Sequence, residues 1–408
     1  MTDRTANKAP GGRSIASLFT TTLFGCALVA SSTALAADPV KIGFVSTLSG
    51  PSAALGTDIL DGFKLALKLA GDKAGGRPIE LLVNDDQFKP DVGKQAFEKL
   101  IKRDRVDFMT GVVFSNILLA GLPEAVRAKT FYISPNAAPS PLAGEKCTPW
   151  FFGTAWPNDA LHEAAGQYAS SKGFKNVFLM APNYQAGKDS LSGFKRTFTG
   201  TIQNEVYTKL GQLDYATEIA SIRAAKPDAL YTFLPGGMGI NFIKQFVGAG
   251  LSKDTQLITP GFGSDQDVIR PVGDAMAGIF DTSHWAINFD NEANKTFVAA
   301  FEKDYSRLPS IYAAQGYDAA QMIIAAVRDM KGNLKDKEAL RQALNKANFK
   351  SVRGEMKFNK NQMVMQNYYL RVITKDAQGR LMNKQLGEPI MKMHGDAYVQ
   401  NCQMKPAK

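Results

Sequence analysis

A chain of 408 residues, 45% hydrophobic and 21% charged, holds enough apolar material for a folded core and is longer than one core usually serves, so two domains are expected. Its formal net charge is +10, yet the lysines and arginines are scattered and no basic motif interleaved with aromatics appears, which argues against nucleic acid as a partner. A solvated basic surface, favouring anionic solutes only in general, is what such a balance implies.

At the N-terminus Arg4, Lys8 and Arg13 precede an uncharged stretch from Ser14 to Ala37 that ends in Ala34-Leu35-Ala36. That pattern is a secretory signal, with cleavage expected after Ala36 and a periplasmic location for the product. Thr20-Thr21-Thr22 and Ser31-Ser32-Thr33 dilute the stretch too much for a spanning helix, which needs about 20 apolar residues. A rival reading makes Cys26 a lipidated terminus, although Phe24 is bulky for that motif. Without residues 1–36, about 372 residues remain, with a net charge near +8 because three bases and one acid (Asp3) are lost. Cys147 and Cys402 also remain, and an even pair in an oxidising compartment is a natural disulfide.

Short apolar runs then alternate with helical periodicity, the signature of parallel sheets covered by helices. Strands are predicted at Val40–Val45, Ile79–Val83, Val106–Gly111 and Thr130–Ser134, with helices near Asp58–Ala70, Asp91–Arg103 and Asn116–Ala128 between them. A second set follows, with strands at Val177–Ala181, Ala229–Leu234, Gln256–Thr259 and Gly278–Thr282. Helices near Asp159–Ser171, Gly187–Phe198, Tyr215–Ala225 and Met238–Ala249 lie among these. Helical patterns at Lys295–Tyr305, Tyr317–Met330 and Lys335–Ala347 have no strands between them and are expected to return to the first lobe. The fold class is therefore α/β, two doubly wound parallel-sheet lobes joined by a multi-strand hinge. Residues 37–155 with 287–355 would form lobe I, and 156–286 with 356–408 lobe II. Open parallel sheets bind ligands beyond the carboxyl ends of their strands, so the site is expected in the loops there.

Catalytic motifs are missing. His162, His284 and His394 are too far apart for zinc-protease spacing and read as ordinary surface or packing residues. No nucleophile elbow and no phosphate-cradling loop occur. Gly237-Met238-Gly239 opens a helix after a strand, but Phe242 stands where a dinucleotide loop needs its third glycine. Asp85-Asp86 at a strand end read as caps rather than an acid/base couple. No enzyme activity, cofactor or metal is expected.

Ile42-Gly43, Leu48-Ser49-Gly50-Pro51, Gly56 and Gly62 resemble the opening of leucine/isoleucine/valine-type binding proteins, which have the type I periplasmic binding-protein fold. The likeness continues through Asp85-Asp86, Gly111 with Ser115, Ile133-Ser134-Pro135, Gln185-Ala186-Gly187, Lys226-Pro227-Asp228-Ala229, Tyr317-Asp318-Ala319 and Gly354. It implies a monomeric solute-binding component that delivers a small molecule to the permease subunits of an ABC importer. It also implies a carboxylate held by Ser115 and by the backbone of Asn136, Ala137 and Ala138. A hydroxyl beginning a helix suits that role, since it joins the free N–H groups there.

Two departures bear on the ligand. Amino-acid binders of this family carry a threonine where Ala138 stands, and an acid pairing with the ligand ammonium where Gly261 stands. A buried ammonium without a countercharge costs several kcal/mol, so the resemblance points to an acid without an amine unless Asp265 folds back to replace it. Leu55, Phe114, Trp156, Tyr184, Pro235, Gly236 and Phe262 fall on the predicted cleft loops and suit a planar apolar ligand. The segments around Pro135–Ser140 and Leu234–Gly239 resemble the subgroup associated with aromatic carboxylates. A benzoate or phenylpropenoate is the expected ligand; a branched-chain amino acid or amide, and a periplasmic sensor for a signalling partner, are the alternatives.

Overall fold

The computed structural model describes residues 11–12 and 38–407. The expected leader, its cleavage after Ala36 and Cys26 lie outside the described residues. From Val40 onward the chain runs β1 (Val40–Ser46), α1 (Ala53–Leu69), β2 (Lys73–Ala74), β3 (Arg77–Asp85), α2 (Pro90–Glu98), β4 (Phe108–Thr110), α3 (Ser115–Arg127), β5 (Phe131–Ser134), α4 (Ser140–Ala143) and β6 (Phe151–Gly153). These strands form one sheet in the order β2-β3-β1-β4-β5-β6, parallel except for the short β2. The run Val40–Ser46 is buried almost throughout, as a central parallel strand covered on both faces requires.

The second lobe begins with α5 (Ala160–Ser171), β7 (Asn176–Pro182), α6 (Gln185–Thr197), β8 (Thr201–Thr208), α7 (Ala216–Ala225), β9 (Ala229–Thr232) and α8 (Gly237–Gly248). It continues with β10 (Gln256–Pro260), α9 (Gln266–Val272) and β11 (Phe280–Ser283). After α10 (Glu292–Tyr305), α11 (Ile311–Asp329) and α12 (Lys337–Lys346), the chain re-enters this sheet with β12 (Met356–Phe358), β13 (Val364–Lys375) and β14 (Leu381–His394). The strand order is β12-β13-β11-β10-β9-β7-β8, with β14 paired to β13. The core strands are parallel, while β12, β13 and β14 add an antiparallel flank.

Several elements differ from the sequence-based expectation. β8 was not predicted because its sequence, TIQNEVYT, lies on an edge and is largely exposed, so without burial on two faces there is no apolar run to see. β13 alternates buried and half-buried positions and β14 is mostly half-buried, so neither carries the continuous apolar run of a covered strand. α11 starts at Ile311 rather than Tyr317, because Ser310 caps it by accepting from Ala313 N–H, one of the donors a helix start leaves free. The predicted helix over Asp91–Arg103 ends its α-turns at Glu98 and widens into a π-turn over Lys99–Arg103.

α11 returns to the first lobe by lying along α1. The two helices touch through glycines: a Cβ on Gly62 would sit 1.9 Å from the Ala313 carbonyl, and one on Gly316 would sit 2.0 Å from that of Ile59. Any side chain at either position forces the backbones apart. Arg353 fastens the segments that pass between the sheets. Its Nε donates to Asp318 on α11 at 2.8 Å, and its Nη1 donates to the Thr154 and Ala155 carbonyls and to Gln366 Oε1 on β13. The guanidinium is buried, and its planar fork lets one side chain serve three chain segments.

The disulfide expected from the cysteine pair is present between Cys147 and Cys402, 255 residues apart in sequence. No helix among the described residues is long and apolar enough to cross a membrane.

Candidate functional site

The cavity between the two sheets begins where neighbouring strands of the first sheet end. After β4 the chain turns at Gly111 and enters α3 at Ser115; after β5 it passes through Pro135–Pro139. The two loops are tied together, since Asn136 Nδ2 donates to the Val113 carbonyl at 2.6 Å and Ser134 Oγ donates to that of Ala137 at 2.5 Å. Asn136 Oδ1 is buried with no partner. In the first turn of α3 the Ile117 and Leu118 N–H groups bond the Phe114 carbonyl, so the amides of Ser115 and Asn116 are the ones left for an anion.

Asn158, in the first passage between lobes, organises this wall. Its Nδ2 donates to Ser115 Oγ at 3.1 Å and to Asp189 Oδ2 at 3.2 Å, while its Oδ1 accepts from Ala138 N–H at 3.0 Å. The Ser115 hydroxyl oxygen is thereby occupied as an acceptor, and its proton is directed elsewhere.

The opposite wall is built of rings. Phe233, after β9, lies parallel to Tyr184 with centroids 6.3 Å apart and edge-on to Phe262 at 5.6 Å. Trp156 meets Phe262 edge-on at 4.0 Å, and Tyr312 from α11 closes the far side at 6.2 Å from Phe262. His162 stands edge-on to Phe233. Burial, with the Arg196 charge adding to it, pushes the His162 imidazole down to about 3, so the ring is neutral. None of the side chains lining the cavity is a lysine, arginine, aspartate or glutamate. The lobes are closed on it: the remaining void is about 20 Å³, roughly one water site, so a ring enters only as the walls separate.

Phe114, Ser115, Asn136, Ala137, Trp156, Tyr184, Pro235 and Phe262 line this cavity together, as the strand-end argument anticipates. Four predicted residues do not line it. Ala138 is turned away because Asn158 takes its N–H, which removes it from the predicted carboxylate grip. Leu55 and Gly236 face each other instead: a Cβ on Gly236 would stand 3.2 Å from Leu55 Cδ1, so they form a contact between the first helix of one lobe and the β9–α8 loop of the other. Gly261 packs over Arg371, whose Nη2 would be 3.0 Å from a Cβ there. Asp265 does not reach the cavity either. It accepts from Gln266 N–H and Ile311 N–H and is paired with Arg371.

Val113, Asn158, Ala186 and Phe233 were not anticipated as lining residues, nor were His162 and Tyr312. Val113, Ala186 and Phe233 lie within two residues of predicted ones and follow strands, so closer attention to loop neighbours would have found them. Reading His162 as ordinary packing is corrected, since it forms part of the wall. His284 packs edge-on to Trp156, and His394 bonds Glu163. Asp85 and Asp86 are not the expected helix caps, since the N-cap of α2 is Lys89, with no side-chain cap; they hold the turn before it, Asp85 accepting from Leu48 and Gln87 N–H and the buried Asp86 from Thr47 Oγ1 and Phe88 N–H.

Residues 39–378 match the model of a family described as periplasmic binding protein. Among solved structures, a solute-binding protein of an ABC transporter from Rhodopseudomonas palustris in complex with benzoate is 30% identical, covering 90% of this chain and all of that one, with a TM-score of 0.84. A second, from Rhodopseudomonas palustris BisB5 with 3,4-dihydroxybenzoic acid, is also 30% identical, covers 88% of this chain and 99% of that one, and has a TM-score of 0.83. A Leu/Ile/Val-binding protein homolog 6 of Brucella melitensis biotype 1 is 26% identical over 87% of this chain and 94% of its own length. With its two-lobed topology and a family match spanning most of its length, the chain belongs to the periplasmic binding proteins, as a solute-binding component of an ABC transporter.

Proposed function

We propose that this protein captures an aromatic carboxylate in the interlobe cavity and presents it to an ABC permease. One observation carries the reading: the cavity is walled by Phe114, Trp156, Tyr184, Phe233, Phe262 and Tyr312 and has no acidic side chain among its lining residues. An α-amino acid would bury its ammonium without a countercharge, at a cost of several kcal/mol. A carboxylate finds N–H donors at the start of α3 and in the Asn136–Ala137 backbone, and a planar ring fits between aromatic walls. The benzoate and dihydroxybenzoate complexes of the two Rhodopseudomonas proteins support it.

The names of the Brucella relatives favour a second reading, a branched-chain amino acid. Calorimetry and thermal shift with benzoate, a phenylpropenoate, leucine, isoleucine and valine decide between them. Saturable heat and a raised melting temperature are expected with the aromatic acids alone. Tight binding of the amino acids with silence from the aromatic acids overturns the proposal. Export rests on the leader, and terminal sequencing of periplasmic protein is expected to start at Ala37.

A further inference from the structure

We propose that His162 reads an oxygen substituent on the ligand ring, so that the cavity selects hydroxylated or alkoxylated aromatic carboxylates over bare ones. The inference rests on the aromatic-acid reading above and deepens it. His162 sits in the first turn of α5 and lines the cavity. Two hydroxyls converge on its Nδ1 from behind, Tyr231 on β9 and Ser190 on α6, the latter at 3.2 Å. Phe233 and Phe262 stand against its ring at 5.3 and 6.1 Å. Held on one nitrogen and flanked by two aromatic rings, the ring has one orientation, as a ligating histidine is oriented by the partner of its other nitrogen.

In a neutral imidazole one nitrogen accepts and the other donates. On this proposal Nδ1 is the acceptor from the hydroxyls, which places the proton on Nε2, the ring nitrogen that makes no hydrogen bond among the described residues. The rings of Phe233 and Phe262 beside it carry no polar atom, so a ligand without an oxygen there leaves a buried donor unmet. Sites built to hydrogen-bond a substituent reject analogues lacking it far more strongly than apolar pockets reject a change of size. The carboxylate is spoken for on the other wall, by Ser115 and the start of α3, so the atom reaching His162 belongs to the ring.

Calorimetry with benzoate, 3-hydroxybenzoate, 4-hydroxybenzoate and 4-chlorobenzoate tests this, the chloro acid controlling for volume. At least one hydroxybenzoate is expected to bind about tenfold tighter than the chloro analogue. That ratio should fall toward one in His162→Phe. It should shrink in Tyr231→Phe, a change outside the cavity lining that also serves if the first variant does not fold. Nitrogen-15 spectra of wild-type protein should show the proton on Nε2, and Tyr231→Phe should alter that signature. Equal affinities across the series, or a ratio surviving both variants, overturns the role of His162. Failure of every aromatic acid to bind overturns the underlying reading instead, and the proposal with it.

Discussion

Arg371 Nη2 lies 3.0 Å from Asp265 Oδ2, with both side chains fully buried. The same guanidinium donates through Nε to Asp281 at 2.7 Å and through Nη1 to the Trp285 carbonyl. Asp265 is therefore bound into the framework of the second lobe, where burial pushes its carboxyl up and Arg371 pulls it down. Removing one partner of such a pair strands the other charge, at a cost of about 3–5 kcal/mol. Asp265→Ala should lower unfolding free energy by that order in urea titrations. A variant of wild-type stability that has lost only ligand affinity would restore the amine reading.

Asn158 joins Ser115 and Ala138 from the first interlobe passage. Asn158→Ala leaves the Ala138 N–H without its partner and frees the Ser115 hydroxyl to rotate. A buried donor left unmet costs about 1–3 kcal/mol, so benzoate affinity should fall roughly tenfold or more in calorimetry. Unchanged affinity would remove Asn158 from the organisation of the carboxylate wall.

Asp86 gives a pH signature. Its carboxyl is pushed up to about 6 by burial, with Thr47 and Phe88 both on Oδ1 and Oδ2 unpartnered. A carboxyl raised in the folded state favours folding when protonated; that contribution is full below about pH 4 and is lost as pH rises through 6. Asp86→Asn keeps one acceptor for both donors and removes the titration. Relative to wild type, its unfolding free energy should rise between pH 4 and pH 7 by up to about 3 kcal/mol. A flat difference across that range would refute the assignment.

The Cys147–Cys402 bridge closes a loop of 255 residues and anchors the C-terminal segment beside Gly144. Replacing both cysteines by serine should cost about 2–5 kcal/mol. Denaturant midpoints of wild type measured with and without a thiol reductant should show the same loss, and agreement between them would exclude an effect of serine itself.

The sequence by itself determined the alternation of strands and helices, the two-lobed α/β class and the strand-end loops that carry Phe114, Ser115, Asn136, Tyr184 and Phe262. Each of these follows a buried parallel strand, whose apolar run is visible locally because both of its faces are covered. Half-exposed β8, β13 and β14 lack that run, since one face meets water. The tertiary structure alone decided where the polar and ring atoms of the wall point. Asn158 reaches Ser115 across 43 residues, and Tyr312 reaches the cavity because Gly62 and Gly316 let α11 close onto α1. His162 acquires its orientation from Tyr231 and Ser190. The same long-range packing commits Asp265 to Arg371 and leaves Ala138 and Gly261 out of the cavity lining. Such placements depend on contacts between distant segments, which periodicity and motif spacing do not encode.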